Sequence, residues 1–112
     1  MDNRPIGVFD SGVGGLTVLY ELMELLPYEN YVYFGDTARV PYGSKNGEII
    51  LKYSREAADF LLTKDIKMLV IACNTATAYA LKELQEELDI PVIGVIEYGA
   101  KACIKETKSK SR

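Results

Sequence analysis

Four short apolar segments recur along the chain, at 6–10, 31–36, 68–73 and 92–97. They are rich in β-forming residues and lack polar alternation, which predicts strands buried on both faces. Between them the apolar positions change to helical spacing. Leu16, Leu19, Leu22, Met23 and Leu26 form one stripe, stopped by Pro27. Ile49, Tyr53, Ala57, Phe60 and Leu61 form a second, in a helix expected to begin near Asn46. Ala78, Leu81, Leu84 and Leu88 form a third, closed by Pro91, and a fourth helix is expected from Gly99 to about Thr107. These stripes are read as the core faces of their helices.

Strands alternating with helices predict a doubly wound α/β fold: a mainly parallel sheet of about four βα units with helices on both faces. No repeat or low-complexity stretch interrupts it. Such sheets more often hold five or six strands. A Lys/Ser-rich end, with a basic tail over 107–112, stands where a fifth strand would start. The expectation is a chain cut from a longer protein.

Length and charge narrow the classes. The 112 residues suffice for one domain and not two. A net charge of −3 gives no reason to expect a nucleic acid or an anionic membrane as partner. No apolar run approaches a membrane span, and the first residues carry no secretory leader, so a cytoplasmic location is expected. The chain has no histidine, and Cys73 and Cys103 form no CxxC. That removes the common zinc ligand sets, and any Ser–His or Cys–His pair within this chain. No metal site is expected.

Ligands of such sheets bind outside the carboxyl ends of the strands. Asp10-Ser11, Gly35-Asp36, Cys73-Asn74-Thr75 and Glu97 occupy those ends. The segment Asp10-Ser11-Gly12-Val13-Gly14-Gly15 is either a capped turn or a cradle for a small anion at a helix N-terminus. It does not match the dinucleotide fingerprint, because Thr17 stands at the third glycine position. In Val40-Pro41-Tyr42-Gly43-Ser44, a turn is one reading and a carboxylate site made of backbone N–H groups and the Ser44 hydroxyl is the other. Cys73 is either a buried structural thiol or a base, since the positive end of a helix dipole favours a thiolate. Asn74, Thr75, Asp36 and Glu97 could be caps or ligands. Cys103 is read as packing.

Together, 5–18, 35–43, 71–78 and 92–97 resemble the glutamate racemase family in order and spacing, over nearly the whole chain. The wider amino-acid racemases, aspartate racemase included, share the Cys-Asn-Thr element. Asp-Ser and Pro-Tyr-Gly-Ser favour glutamate, while Tyr98 stands where relatives more often carry Pro. The resemblance implies that 1–112 is the N-terminal domain of a two-domain enzyme whose C-terminal domain lies outside this chain. It implies interconversion of L- and D-glutamate without cofactor, supplying D-glutamate for peptidoglycan, and dimers occur in the family. One cysteine takes the α-proton as thiolate and a second returns a proton on the opposite face as thiol. Cys73 maps onto the first cysteine, and Asp10 onto the carboxylate supporting it. Asp10, Ser11, Tyr42, Gly43, Asn74 and Thr75 map onto substrate-binding positions, with Ser44 and Glu97 as further candidates. Cys103 does not match the second cysteine. The isolated chain is expected to be inactive. Rival readings are a racemase for another amino acid, phosphoryl transfer through Asp10, and a small-anion binding module without catalysis.

Overall fold

Each apolar segment becomes a strand, and all four strands are parallel, in the order β2-β1-β3-β4. The computed structural model describes residues 2–12, 15–39 and 42–94, and for Ser44 the backbone alone. The strands are β1 (Ile6–Asp10), β2 (Tyr31–Gly35), β3 (Met68–Ile71) and β4 (Val92–Gly94). The helices are α1 (Gly15–Leu25), α2 (Gly47–Leu62) and α3 (Asn74–Glu87), with short 3-10 turns at Thr37–Arg39 and Tyr42–Ser44. The expected fourth helix, with Glu97 and Cys103, lies outside the described residues.

β1 sits in the middle, with Ile6 opposite Tyr31 on one side and Met68 on the other, and all five of its residues are buried. Alternate strand residues feed two separate cores, which is why no polar alternation shows in the sequence. Ile6, Val8, Met68, Val70 and Ile93 pack with Leu19 and Leu22 of α1. Phe9, Leu69, Ile71 and Val92 pack with Ile50, Ala57, Ala58 and Leu61 of α2 and Ala76, Ala80 and Leu84 of α3. Helices therefore cover both faces.

The helix ends are satisfied by their own sequence. The Asn46 side chain caps α2 by accepting from the Ile49 N–H at 2.9 Å. At the far end of α1, the Tyr31 hydroxyl lies 3.0 Å from the carbonyls of both Leu22 and Leu26. Burial first, and then Glu29 nearby, push the Tyr31 phenol up to about 12.

The buried faces of the helices differ from the apolar stripes. Leu16 and Met23 of α1, Ile49 and Phe60 of α2 and Ala78 of α3 are exposed. The face of α2 turned to the sheet is Ile50, Ser54, Ala57, Ala58 and Leu61. Small residues win there because a helix lying on a buried sheet needs close approach more than bulk. Ser54 loses nothing by burial, since its hydroxyl donates to the Ile50 carbonyl at 2.8 Å. Phe60 instead packs on the flank against Phe34, ring centres 5.3 Å apart. In α3 the buried set is Ala76, Thr77, Ala80 and Leu84, with Leu81 and Leu88 half-buried.

This register is tested by two truncations on α2. Leu61→Ala should cost about 2–5 kcal/mol, as for other buried leucines. Ile49→Ala should stay below about 1 kcal/mol, because the side chain is at the surface. Urea unfolding midpoints measure both. The reverse ranking would overturn the register.

Candidate functional site

The strand order creates the site. From β1 the chain moves through α1 to β2 on one side, then crosses through α2 to β3 on the other. Right-handed crossovers in opposite directions put α1 and α2 on opposite faces. The segments leaving β1 and β3 therefore diverge, and a crevice opens between their carboxyl ends. Asp10-Ser11 leaves β1 and Cys73-Asn74-Thr75 leaves β3. Two backbone bonds carry the ladder past the strand ends. The Asp36 N–H donates to the Asp10 carbonyl at 2.9 Å, and the Ala72 N–H to the Phe9 carbonyl at 2.7 Å.

Asp10 is fully buried beneath the start of α1. Its Oδ2 accepts from the Gly12 N–H at 3.0 Å, the Gly15 N–H at 3.1 Å and the Tyr33 hydroxyl at 3.0 Å. Among the described residues its Oδ1 is the buried side-chain oxygen left without a partner. Glycine at 15 is a requirement of this contact: a Cβ there would stand 2.1 Å from Asp10 Cγ. Gly12 adopts φ +105, a left-handed conformation that suits glycine. Ser11 is buried beside Asp10.

Cys73 is the N-cap of α3. Its sulfur accepts from the Ala76 N–H at 3.5 Å, and its carbonyl from the Thr77 N–H at 2.9 Å and hydroxyl at 2.8 Å. The thiol is free and 9% exposed. Asn74 is exposed and Thr75 half-buried, and their N–H groups, in the first turn, have no acceptor within the helix. The turn Tyr42–Ser44 comes up against this helix start. A methyl group placed on exposed Gly43 would meet Thr75 Oγ1 at 4.0 Å.

Tyr42 plays a different part from a side chain offered to a ligand. It is 2% exposed, with its ring between Phe9 and Tyr53. Its hydroxyl donates to Asp36 Oδ2 at 2.5 Å. Burial, then that bond and the Asp36 charge, hold the phenol far above its usual range. Asp36 is thus a buried anchor for the turn. Arg39 steadies it: Nε lies 3.8 Å from Asp36 Oδ2, Nη1 pairs with Glu56, and the guanidinium covers the Tyr53 ring at 4.1 Å.

Asp10, Ser11, Gly43, Cys73, Asn74 and Thr75 therefore gather at the carboxyl edge of the sheet. Tyr42 is there through its backbone. The Ser44 side chain and Glu97 lie outside the description. Sequence reasoning missed Tyr33, whose hydroxyl reaches Asp10 from the neighbouring strand. Burial, then the charge of Asp10 and their hydrogen bond, push the Tyr33 phenol up to about 12.

Gly15→Ala should drive a methyl into the Asp10 carboxyl and cost about 1–3 kcal/mol, read from urea unfolding. A loss under half a kcal/mol would show that the contact is loose. Alkaline stability offers a second test. Tyr31, Tyr33 and Tyr42 have raised pKa values when folded, against 10.0 when free. Below pH about 10 both states keep these protons, so stability is flat there; above it the unfolded chain releases them first, so stability falls. Tyr33→Phe should make that fall shallower in unfolding midpoints taken from pH about 8 to about 11. An unchanged slope would refute the assignment.

Comparisons with known proteins place the chain in a family. The family model described as Asp/Glu/Hydantoin racemase matches residues 23–111. The chain is 63% identical over 105 residues to a glutamate racemase of Oceanobacillus iheyensis, a match covering 94% of this chain and 38% of the relative. Glutamate racemase of Thermus thermophilus, solved in complex with β-chloro-D-alanine, superposes with TM-score 0.81 at 57% identity, covering 85% of this chain and 37% of that one. The Francisella tularensis enzyme, solved with D-glutamate, gives TM-score 0.79 at 52% identity, covering 84% and 36%. The chain thus spans about two fifths of the length of the proteins it matches. With that family model matched over most of its length, the chain belongs to the Asp/Glu/Hydantoin racemase family.

Proposed function

We propose that this chain forms one half of the active site of a cofactor-independent glutamate racemase. The placement at the carboxyl ends of neighbouring strands of a helix-capping thiol, Cys73, and a buried carboxyl oxygen without a partner among the described residues, Asp10 Oδ1, carries the reading. Similarity to glutamate racemases, one of them solved with D-glutamate, supports the substrate.

The chemistry follows from the acid to be removed. An α-proton beside a carboxylate is very weakly acidic, and charge grows on the carboxylate oxygens as it leaves. Donors already aimed at those oxygens lower the barrier most. The Asn74, Thr75 and Gly43 N–H groups and the Ser11 hydroxyl are the proposed donors, with Tyr42 fixing the turn that carries Gly43. Ser44 and Glu97 are further candidates. Cys73, as thiolate, takes the proton from one face, and Asp10 supports it.

Inversion needs a proton delivered to the opposite face. Cys103 lies outside the described residues, and its sequence setting does not match the family's second cysteine. The second thiol is therefore assigned to the part of the relatives' length that this chain does not span. The product, D-glutamate, would serve peptidoglycan.

The test uses the full-length protein, stripped of small molecules, with L-glutamate in D2O. The α-proton NMR signal should fade as D-glutamate appears. Cys73→Ala should slow this by about 10²–10⁴-fold, and the 112-residue chain alone should make no D-glutamate. Racemisation that survives Cys73→Ala would sink the assignment of the base. Faster exchange with aspartate would move the substrate.

A further inference from the structure

Tyr33 stands on β2 opposite Val8, within the core shared with α1. From there its hydroxyl reaches the end of β1 and becomes the third donor on Asp10 Oδ2. A carboxyl oxygen offers about two lone-pair directions, so Oδ2 is saturated. Oδ1, equally buried, has no partner among the described residues. The last torsion of an aspartate is soft and nearly two-fold. The side chain itself leaves the plane of the carboxyl group free to turn; the donors fix it.

We propose that Tyr33 is a positioning residue of the racemase reaction, holding the Asp10 carboxyl so that Oδ1, and not the saturated Oδ2, is left to interact with groups brought to the crevice between β1 and β3. The inference rests on the racemase reading above and deepens it. Two of the donors are backbone amides of the segment entering α1, and no side-chain substitution removes them. Tyr33 is the side chain among the donors, and it comes from a different strand. It couples the placement of β2 to the chemistry at β1 and β3. Its ring packs in the α1 core, so a phenylalanine keeps the packing and loses the bond alone.

The experiment compares wild type, Tyr33→Phe, Asp10→Asn and the double variant in the full-length protein. Tyr33→Phe should keep its circular dichroism spectrum and lose about 10- to 100-fold in kcat, as a misplaced group does, with KM held within about twofold. Isotope effects with α-deuterated L- and D-glutamate give a reading that general damage would not move. The effect should rise for the enantiomer whose proton goes to Cys73 and not for the other. In the double variant the loss should equal that of Asp10→Asn alone, because Tyr33 acts through Asp10. Losses that multiply, isotope effects that change equally for both enantiomers, or an unchanged kcat would each overturn the proposal. If wild type turns over and Cys73→Ala does not, an unaffected Tyr33→Phe removes this inference only. If wild type racemises neither glutamate nor aspartate, the reading beneath it falls as well.

Discussion

The handedness of the crossovers governs this molecule. A parallel strand pair joined through a helix is almost always right-handed, so the direction of travel decides the face on which each helix lies. The chain travels one way from β1 to β2 and the other way from β2 to β3. That reversal puts α1 opposite α2 and α3, and it parts the chain where β1 and β3 end. Crevice, helix N-termini and strand-end residues all follow from one change of direction. The backbone bonds from Asp36 and Ala72 onto β1 then fix how far apart the parted segments can start.

Burying a carboxyl group at that point is costly unless it is hydrogen-bonded. Oδ2 of Asp10 meets the requirement three times over, while Oδ1 has no partner among the described residues. The imbalance has a structural cost, and buried unsatisfied atoms in a folded protein call for a reason. A site that must receive a polar ligand supplies one. Asp36, also buried, turns its Oδ2 to the Tyr42 hydroxyl and has Arg39 beside the same oxygen, and both contacts serve the turn.

Much of the fold was legible in the sequence, because strands buried on both faces leave continuous apolar runs whatever packs on them. Cys73 was legible for a related reason. A polar residue straight after such a run must lie at a strand end, and the helical pattern behind it makes it a cap. The faces of the helices were less legible. The stripe rightly held Ala57 and Leu61, but it also took in Ile49 and Phe60 where the sheet takes Ser54 and Ala58, because distance of approach is set by volume. Tyr33 was hidden by its own suitability: tyrosine favours strands, so its presence in β2 asked for no further reason. One signal was available. Tyr31 and Tyr33 share a face by strand periodicity, and two half-buried phenols packed against one core each call for a partner. One finds the end of α1 and the other finds Asp10.

Asp36 carries the same lesson at the turn. Read alone, an acid after a strand is a cap or a ligand, and the sequence holds no preference. The structure resolves it through Tyr42, whose ring must be buried against Phe9 and whose hydroxyl then needs an acceptor within the core. The acid is there for the phenol, and the phenol for the turn. The turn in turn presents Gly43 to Thr75 at the start of α3. Site residues that touch a ligand through backbone groups are therefore only as precise as the side chains beneath them. Tyr33 under Asp10 and Asp36 under Tyr42 are two solutions to one problem: each uses a phenol–carboxyl bond to hold a segment that leaves the sheet.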